Sequence, residues 1–205
     1  MDAQPLLQFD VAYPARLSRL LIFVKWLLII PQIFVLSFVM IGLAVTTFIA
    51  WWAILFTGRY PRGLFNFALM TLRWMARVNV YYYLQRDEYP PFGDGAYPMQ
   101  FDLAYPNRLS RLLIFVKWLL IIPHWIVLYI LGLVASIIYF VSWWAILFLG
   151  RYPEGMFDFM VGYQRWSYRV MTYILLMTDT YPPFTLSGTP APASPTAGPE
   201  LAPRF

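Results

Sequence analysis

The hydrophobic pattern resolves the chain into two long apolar runs, each followed by a segment of helical periodicity. Thirty-two residues, Trp26 to Thr57, carry no formal charge, and the same gap recurs between Lys117 and Arg151. A transmembrane helix needs roughly 20 residues. A helix as long as the first run would measure about 48 Å at ~1.5 Å per residue, well beyond a hydrocarbon core of roughly 30 Å. Two arrangements fit. In the preferred one, the run is a helical hairpin turning near Ser37–Gly42. Arg16, Arg19, Lys25, Arg59 and Arg62 then share the cytoplasmic side, as the positive-inside tendency favours. In the other, Arg16–Ile30 lies on the surface, Pro31 breaks it, and one long kinked span follows. That version avoids a turn in "SFVMIG", a poor turn sequence.

The next segment, from about Pro61 to Leu84, has a narrow polar stripe. On a 100° wheel Arg62, Asn66, Arg73 and Arg77 fall within about 60° of one another. Glu154, Asp158, Arg165 and Arg169 occupy the same positions in the second half. The pattern predicts an amphipathic helix lying in the membrane interface with its stripe turned outward.

Sliding the sequence by 92 residues aligns the halves without a gap. Phe9–Gln32 matches Phe101–His124 at 21 of 24 positions. WWAILF, GRYP, Arg73-Trp74 and YPPF all recur. The chain therefore reads as repeat 1 (residues 1–92), repeat 2 (93–184) and a Pro/Ala-rich extended tail (185–205). The apolar centres have drifted while the cationic arms ahead of them are nearly identical. Lipid-facing surface asks only for hydrophobicity, so the arms are expected to touch something specific.

Composition sharpens the membrane reading. Hydrophobic residues make up 60% and charged residues 12%, about half the soluble norm of roughly 25%. The net charge of +5 flanks apolar segments, which points to anionic head groups rather than nucleic acid. There is no cysteine, which excludes disulfides, thiol catalysis and zinc–thiolate sites. The first fifteen residues carry two acids and no cation, so the internal runs, not a cleavable signal, are expected to direct insertion.

Candidate lipid- or partner-binding residues are the arm cations Arg16, Arg19 and Lys25 with their copies Arg108, Arg111 and Lys117, and the stripe Arg73, Arg77, Arg165 and Arg169. Arginine offers a forked donor to phosphate or carboxylate. Topology anchoring by snorkelling cations is the plainer reading. His124, the single histidine, lacks a second strong ligand and reads as structural, with cofactor binding a weak third possibility. Asp10 and Asp102 are placed to pair with Arg16, Arg19 and their copies or to cap a helix. The remaining acids, among them Asp87, Glu88, Asp94 and Asp179, also lie outside the apolar runs, which argues against an ion-coupled transporter. No nucleophile-plus-base set or phosphate-binding motif appears.

The motifs YPxRLSRLLIFVKWLLIIP, WWAILFxGRYPxGxFxF, RWxxRV and DxYPPF resemble a bacterial membrane family known as domain of unknown function 4389, over residues 9–184. The resemblance implies a bacterial integral membrane protein and brings no active-site residues. The expectation is an all-α integral membrane protein of two tandem repeats, multi-pass in the inner membrane, without catalytic residues, cofactor or metal. Its expected role is an accessory or scaffold subunit of a larger complex, partnered by anionic lipids and other membrane subunits. The alternative is a small transporter or lipid-handling protein with a pseudo-symmetric polar pathway between the repeats.

Overall fold

A computed structural model describes residues 7–188. Each repeat supplies a strand, a short irregular helical lead and two long helices. Repeat 1 has β1 (Gln8–Val11), α1 (Lys25–Leu28), α2 (Ile30–Thr57) and α3 (Arg62–Tyr82). Repeat 2 has β2 (Met99–Asp102), α4 (Lys117–Leu120), α5 (Ile122–Leu149) and α6 (Glu154–Ile174). A single 3-10 turn precedes α1 and α4.

The apolar run is not a hairpin. It passes Ser37–Gly42 as one unbroken helix, the long kinked form. Nothing in that stretch offers a turn, and apolar surroundings favour backbone groups paired within a helix. The break falls earlier, at Ile29, with Pro31 inside the first turn of α2 where its missing N–H costs nothing. Both long helices end on a glycine in the left-handed region, Gly58 at φ +68° and Gly150 at φ +69°. Lys25–Thr57 and Lys117–Leu149 are long and apolar enough to cross a membrane.

The stripes of the amphipathic helices α3 and α6 are turned outward only in their first turns: Arg62, Asn66, Glu154 and Asp158 are exposed, whereas Arg77 and Arg169 are buried. The two helices form the centre of the fold, α3 against α2 and α6 against α5. Phe65, Ala68, Leu72, Ala76 and Val80 of α3 belong to the same main core as Phe157, Met160 and Tyr168 of α6. At Arg73 and Arg165 the stripes meet an element the hydrophobic pattern does not announce, an antiparallel ribbon of β1 and β2. The fold is thus helical with one small sheet rather than purely α. Four-residue strands preceding a conspicuous apolar run leave little sequence signal.

In the ribbon, Gln8 pairs with Asp102, Phe9 with Phe101 and Asp10 with Gln100. Phe9 and Phe101 are the same position of the repeat. A pairing of a position with its own copy places a two-fold axis between them, normal to the sheet. Phe9 and Phe101 turn inward onto Tyr168, with ring centroids 5.5 and 5.3 Å away. Gln8, Asp10, Gln100 and Asp102 face solvent.

Candidate functional site: the exchanged arms

The arms cross over. Arg165 of α6 donates through Nε to the Phe9 carbonyl at 2.7 Å and through Nη2 to Asp10 at 3.1 Å. Arg73 of α3 donates to the Phe101 carbonyl at 2.9 Å and to Asp102 at 2.7 Å. Arg73 and Arg165 therefore each hold the strand of the other repeat. Asp10 and Asp102 accordingly pair with Arg165 and Arg73, not with the arm arginines expected from sequence proximity. Short-range reasoning could not reach partners separated by an exchange.

The crossing continues along each arm. Leu17 N donates to the Gly150 carbonyl and Leu109 N to the Gly58 carbonyl, both at 2.9 Å. The Tyr13 hydroxyl donates to the Tyr152 carbonyl, and the Tyr105 hydroxyl to that of Tyr60. Arg19 lies over Gly150 and Arg111 over Gly58. A Cβ added to Gly150 would stand 3.3 Å from Arg19 Nε, and one on Gly58 3.4 Å from Arg111 Nε. Phe23 meets Trp143 edge-on at 5.2 Å and Phe115 meets Trp51 at the same distance. Every contact occurs twice with the repeats exchanged. This explains the near identity of the arms: one sequence must fit the same receiving surface on both repeats.

Each arm then returns to its own repeat through a buried lysine. Lys25 and Lys117 are only 2% and 1% exposed. Lys25 Nζ lies 2.8 Å from Asp87 Oδ1 and donates to the Arg86 carbonyl at 2.7 Å. The other Asp87 oxygen accepts from Ser18 N at 2.6 Å. Lys117 repeats this with Asp179 at 2.8 Å and the Thr178 carbonyl at 2.7 Å, and Asp179 takes Ser110 N at 2.6 Å. Tyr81 and Tyr173 lie beneath the ammonium groups at 5.0 and 4.8 Å. Asp87 and Asp179 are the functional partners that sequence reasoning did not single out. Their signal was the recurring acid two positions before YPPF.

The ten candidate cations thus divide. Lys25, Lys117, Arg77 and Arg169 are buried, and Arg73 and Arg165 are occupied with the ribbon. Arg16, Arg19, Arg108 and Arg111 are exposed. The stripe arginines do not gather on one channel. Arg73 and Arg77 line a surface cavity of about 260 Å³ with Asp94 and Tyr97. Arg165 lines another of about 520 Å³ with Asp10, Asp158 and Leu186. Of the tail, Thr185–Gly188 is described: the Leu186 carbonyl accepts from Arg165 at 2.9 Å. The rest, residues 189–205, lies outside the described residues.

His124 is buried, and its Nδ1 accepts from Trp166 Nε1 at 3.0 Å while the ring stacks on Phe184 at 3.9 Å. Gln32 performs the same task in repeat 1, accepting from Trp74 Nε1 at 2.8 Å and donating to the Pro90 carbonyl at 2.6 Å. The two residues share the role of acceptor for a tryptophan, but Gln32 also donates to a carbonyl whereas the buried His124 Nε2 has no hydrogen-bond partner. Among the described residues no three His, Cys, Asp or Glu side chains form a metal-holding group.

The outer faces of the long helices are apolar throughout. Phe38, Ile41, Phe48 and Phe56 of α2 are 59, 64, 64 and 69% exposed. Trp125, Ile126, Ile137 and Phe140 continue the pattern on α5. Soluble monomers rarely show apolar surface on this scale.

The model of a family described as Domain of unknown function (DUF4389) matches residues 19–93 and 111–185. Both matches begin after the strands and the first residues of the arms, so the exchanged ribbon lies outside them. No curated protein and no solved structure matches the chain.

Proposed function

We propose, from the premise that the chain belongs to the family of the domain of unknown function DUF4389 in two copies, that it is a membrane-embedded accessory or scaffold subunit without catalysis of its own. The setting we assign is the inner membrane of a bacterium. The observation carrying the reading is the apolar surface of α2 and α5 beside charged groups engaged with the chain itself, across the repeats at Arg73 and Arg165 and within each repeat at Lys25 and Lys117. Chemistry that another protein would aim at a substrate is here spent on holding two halves in fixed relation. Such a body offers rigid shape, apolar surface and exposed cations, which suit lipid head groups and the helices of other subunits. Arg16, Arg19, Arg108 and Arg111 are the residues assigned to head-group phosphate.

Native mass spectrometry of the protein released in mild detergent tests this. The expected result is a stoichiometric complex with one or more membrane subunits, retaining anionic lipid that is lost when the four exposed arginines become glutamine. A lone monomer that binds anionic and neutral lipid alike would overturn it.

A further inference from the structure

The symmetry of the ribbon fixes how the molecule can sit in a bilayer. Rotation about the two-fold axis leaves height along that axis unchanged, so Leu17 and Leu109 lie at one height. Leu109 N is bonded to Gly58, just past the end of α2. Leu17 is followed by Ser18, which is bonded to Asp87, which is paired with Lys25 at the head of the same helical run. Both ends of α2 are therefore tied to one reference height by a short chain of bonds. A 28-residue helix is about 42 Å long. The bonds and side chains linking its two ends, even stacked along the axis, cover only about half of that. Hence α2 runs across the axis, and by symmetry so does α5.

Two placements follow. If α2 and α5 cross the bilayer, the axis lies in the membrane plane at its centre. The outer face of the ribbon then opens onto hydrocarbon at mid-depth, with Asp10 and Asp102 side chains 67 and 64% exposed. An ionised carboxylate there costs on the order of 3 kcal/mol even on the most lenient scale. It would also divide the arm cations between the two membrane surfaces. If the axis lies along the membrane normal, the ribbon faces water and each arm cation lies at the same depth as its copy in the other arm.

The apolar surface agrees with the second placement. On a 100° wheel of α3, Met75 and Tyr82 lie about 160–180° from the midpoint of Arg73 and Arg77. The arginines meet the ribbon. Tyr82 instead opens into an apolar groove with Ile29 and with Ile33, Leu36 and Met40 of α2. Greasy surface therefore opens opposite the polar ribbon. Leu20 and Leu112, 80 and 78% exposed, stand beside Arg19 and Arg111, the juxtaposition of apolar and cationic groups that anionic interfaces hold.

We infer that the protein is monotopic: α2 and α5 lie in the plane of one leaflet, the ribbon faces water, and both arms address anionic head groups of that same leaflet. This rests on the membrane reading above and replaces two spans by two in-plane helices.

The absence of cysteine makes sidedness directly measurable. Ala15, Thr57 and Gln100 are exposed positions at the arm, the end of α2 and the ribbon. A15C, T57C and Q100C in the full chain are labelled with a membrane-impermeant maleimide in right-side-out and inverted vesicles, with L149C as the repeat-2 counterpart of T57C. All four are expected to react from one side only. Labelling of A15C and T57C from opposite sides overturns the in-plane placement and leaves the membrane reading standing. Flotation of the purified protein with phosphatidylglycerol–phosphatidylcholine vesicles separates the two ideas. Failure to float, with recovery as a soluble dimer whose apolar faces cover each other, overturns the membrane reading itself.

Discussion

Removing the carboxylate of Asp87 should expose how the arms are held. In Asp87→Asn the Lys25 ammonium, 2% exposed, loses its 2.8 Å counter-charge and keeps the Arg86 carbonyl and the Tyr81 face. The amide also becomes a weaker acceptor for Ser18 N. Breaking a buried pair by deleting one partner costs about 3–5 kcal/mol. Asp87 is itself 27% exposed, which lowers the expectation to about 2–4 kcal/mol. For a domain of this size each kcal/mol moves Tm by roughly 2–4 °C, so a fall of about 5–15 °C is expected. Tryptophan fluorescence during heating in mild detergent reads it. The decisive arm is the double variant Lys25→Met with Asp87→Asn, which removes the buried charge along with its partner. It should regain most of the loss, because much of the penalty is an uncompensated ammonium rather than a missing attraction. Asp179→Asn should behave alike through Lys117. A single variant melting within about 1 °C of the parent, or a double variant whose losses simply add, would refute the reasoning.

Three further outcomes are expected. Gln32→Leu leaves the Trp74 indole N–H and the Pro90 carbonyl without partners in a buried site, and should cost about 1–3 kcal/mol by thermal melt, whereas Gln32→His should cost less because it keeps an acceptor for the indole, as His124 does for Trp166. Gly150→Ala places a Cβ at φ +69° and against Arg19, and should cost about 1–2 kcal/mol, read as a lower melting temperature with the apparent size unchanged. The Arg86 guanidinium holds the Glu88 carboxyl below its ordinary value of 4.5. A depressed carboxyl contributes stability above that ordinary value and loses it as pH falls through the lowered one. Stability should therefore drop as pH goes below about 4.5, and Glu88→Gln should make that drop shallower in a melt series from pH 7 to 3.

Much of this protein is written locally. The duplication, the length of the apolar runs, the helical period of α3 and α6 and the membrane-like composition depend on neighbours in the chain. Side-chain volume, backbone freedom and hydropathy act over a few residues, so reading along the sequence recovers them. The selective preservation of the arms was legible too, as a sign that they touch something demanding. What they touch was not. Arg165 and Phe9 lie 156 positions apart, and Arg73 meets the strand of the other repeat, so no window of sequence brings the partners together. The same exchange decides that Arg73 and Arg165 of the polar stripes hold a strand rather than face lipid. A charged stripe is compatible with head groups or with a covering strand, and only the long-range pairing selects between them. Repeat identity says that there are two copies. The pairing of Phe9 with Phe101 says how the copies are related, and hence which way the apolar faces of α2 and α5 turn.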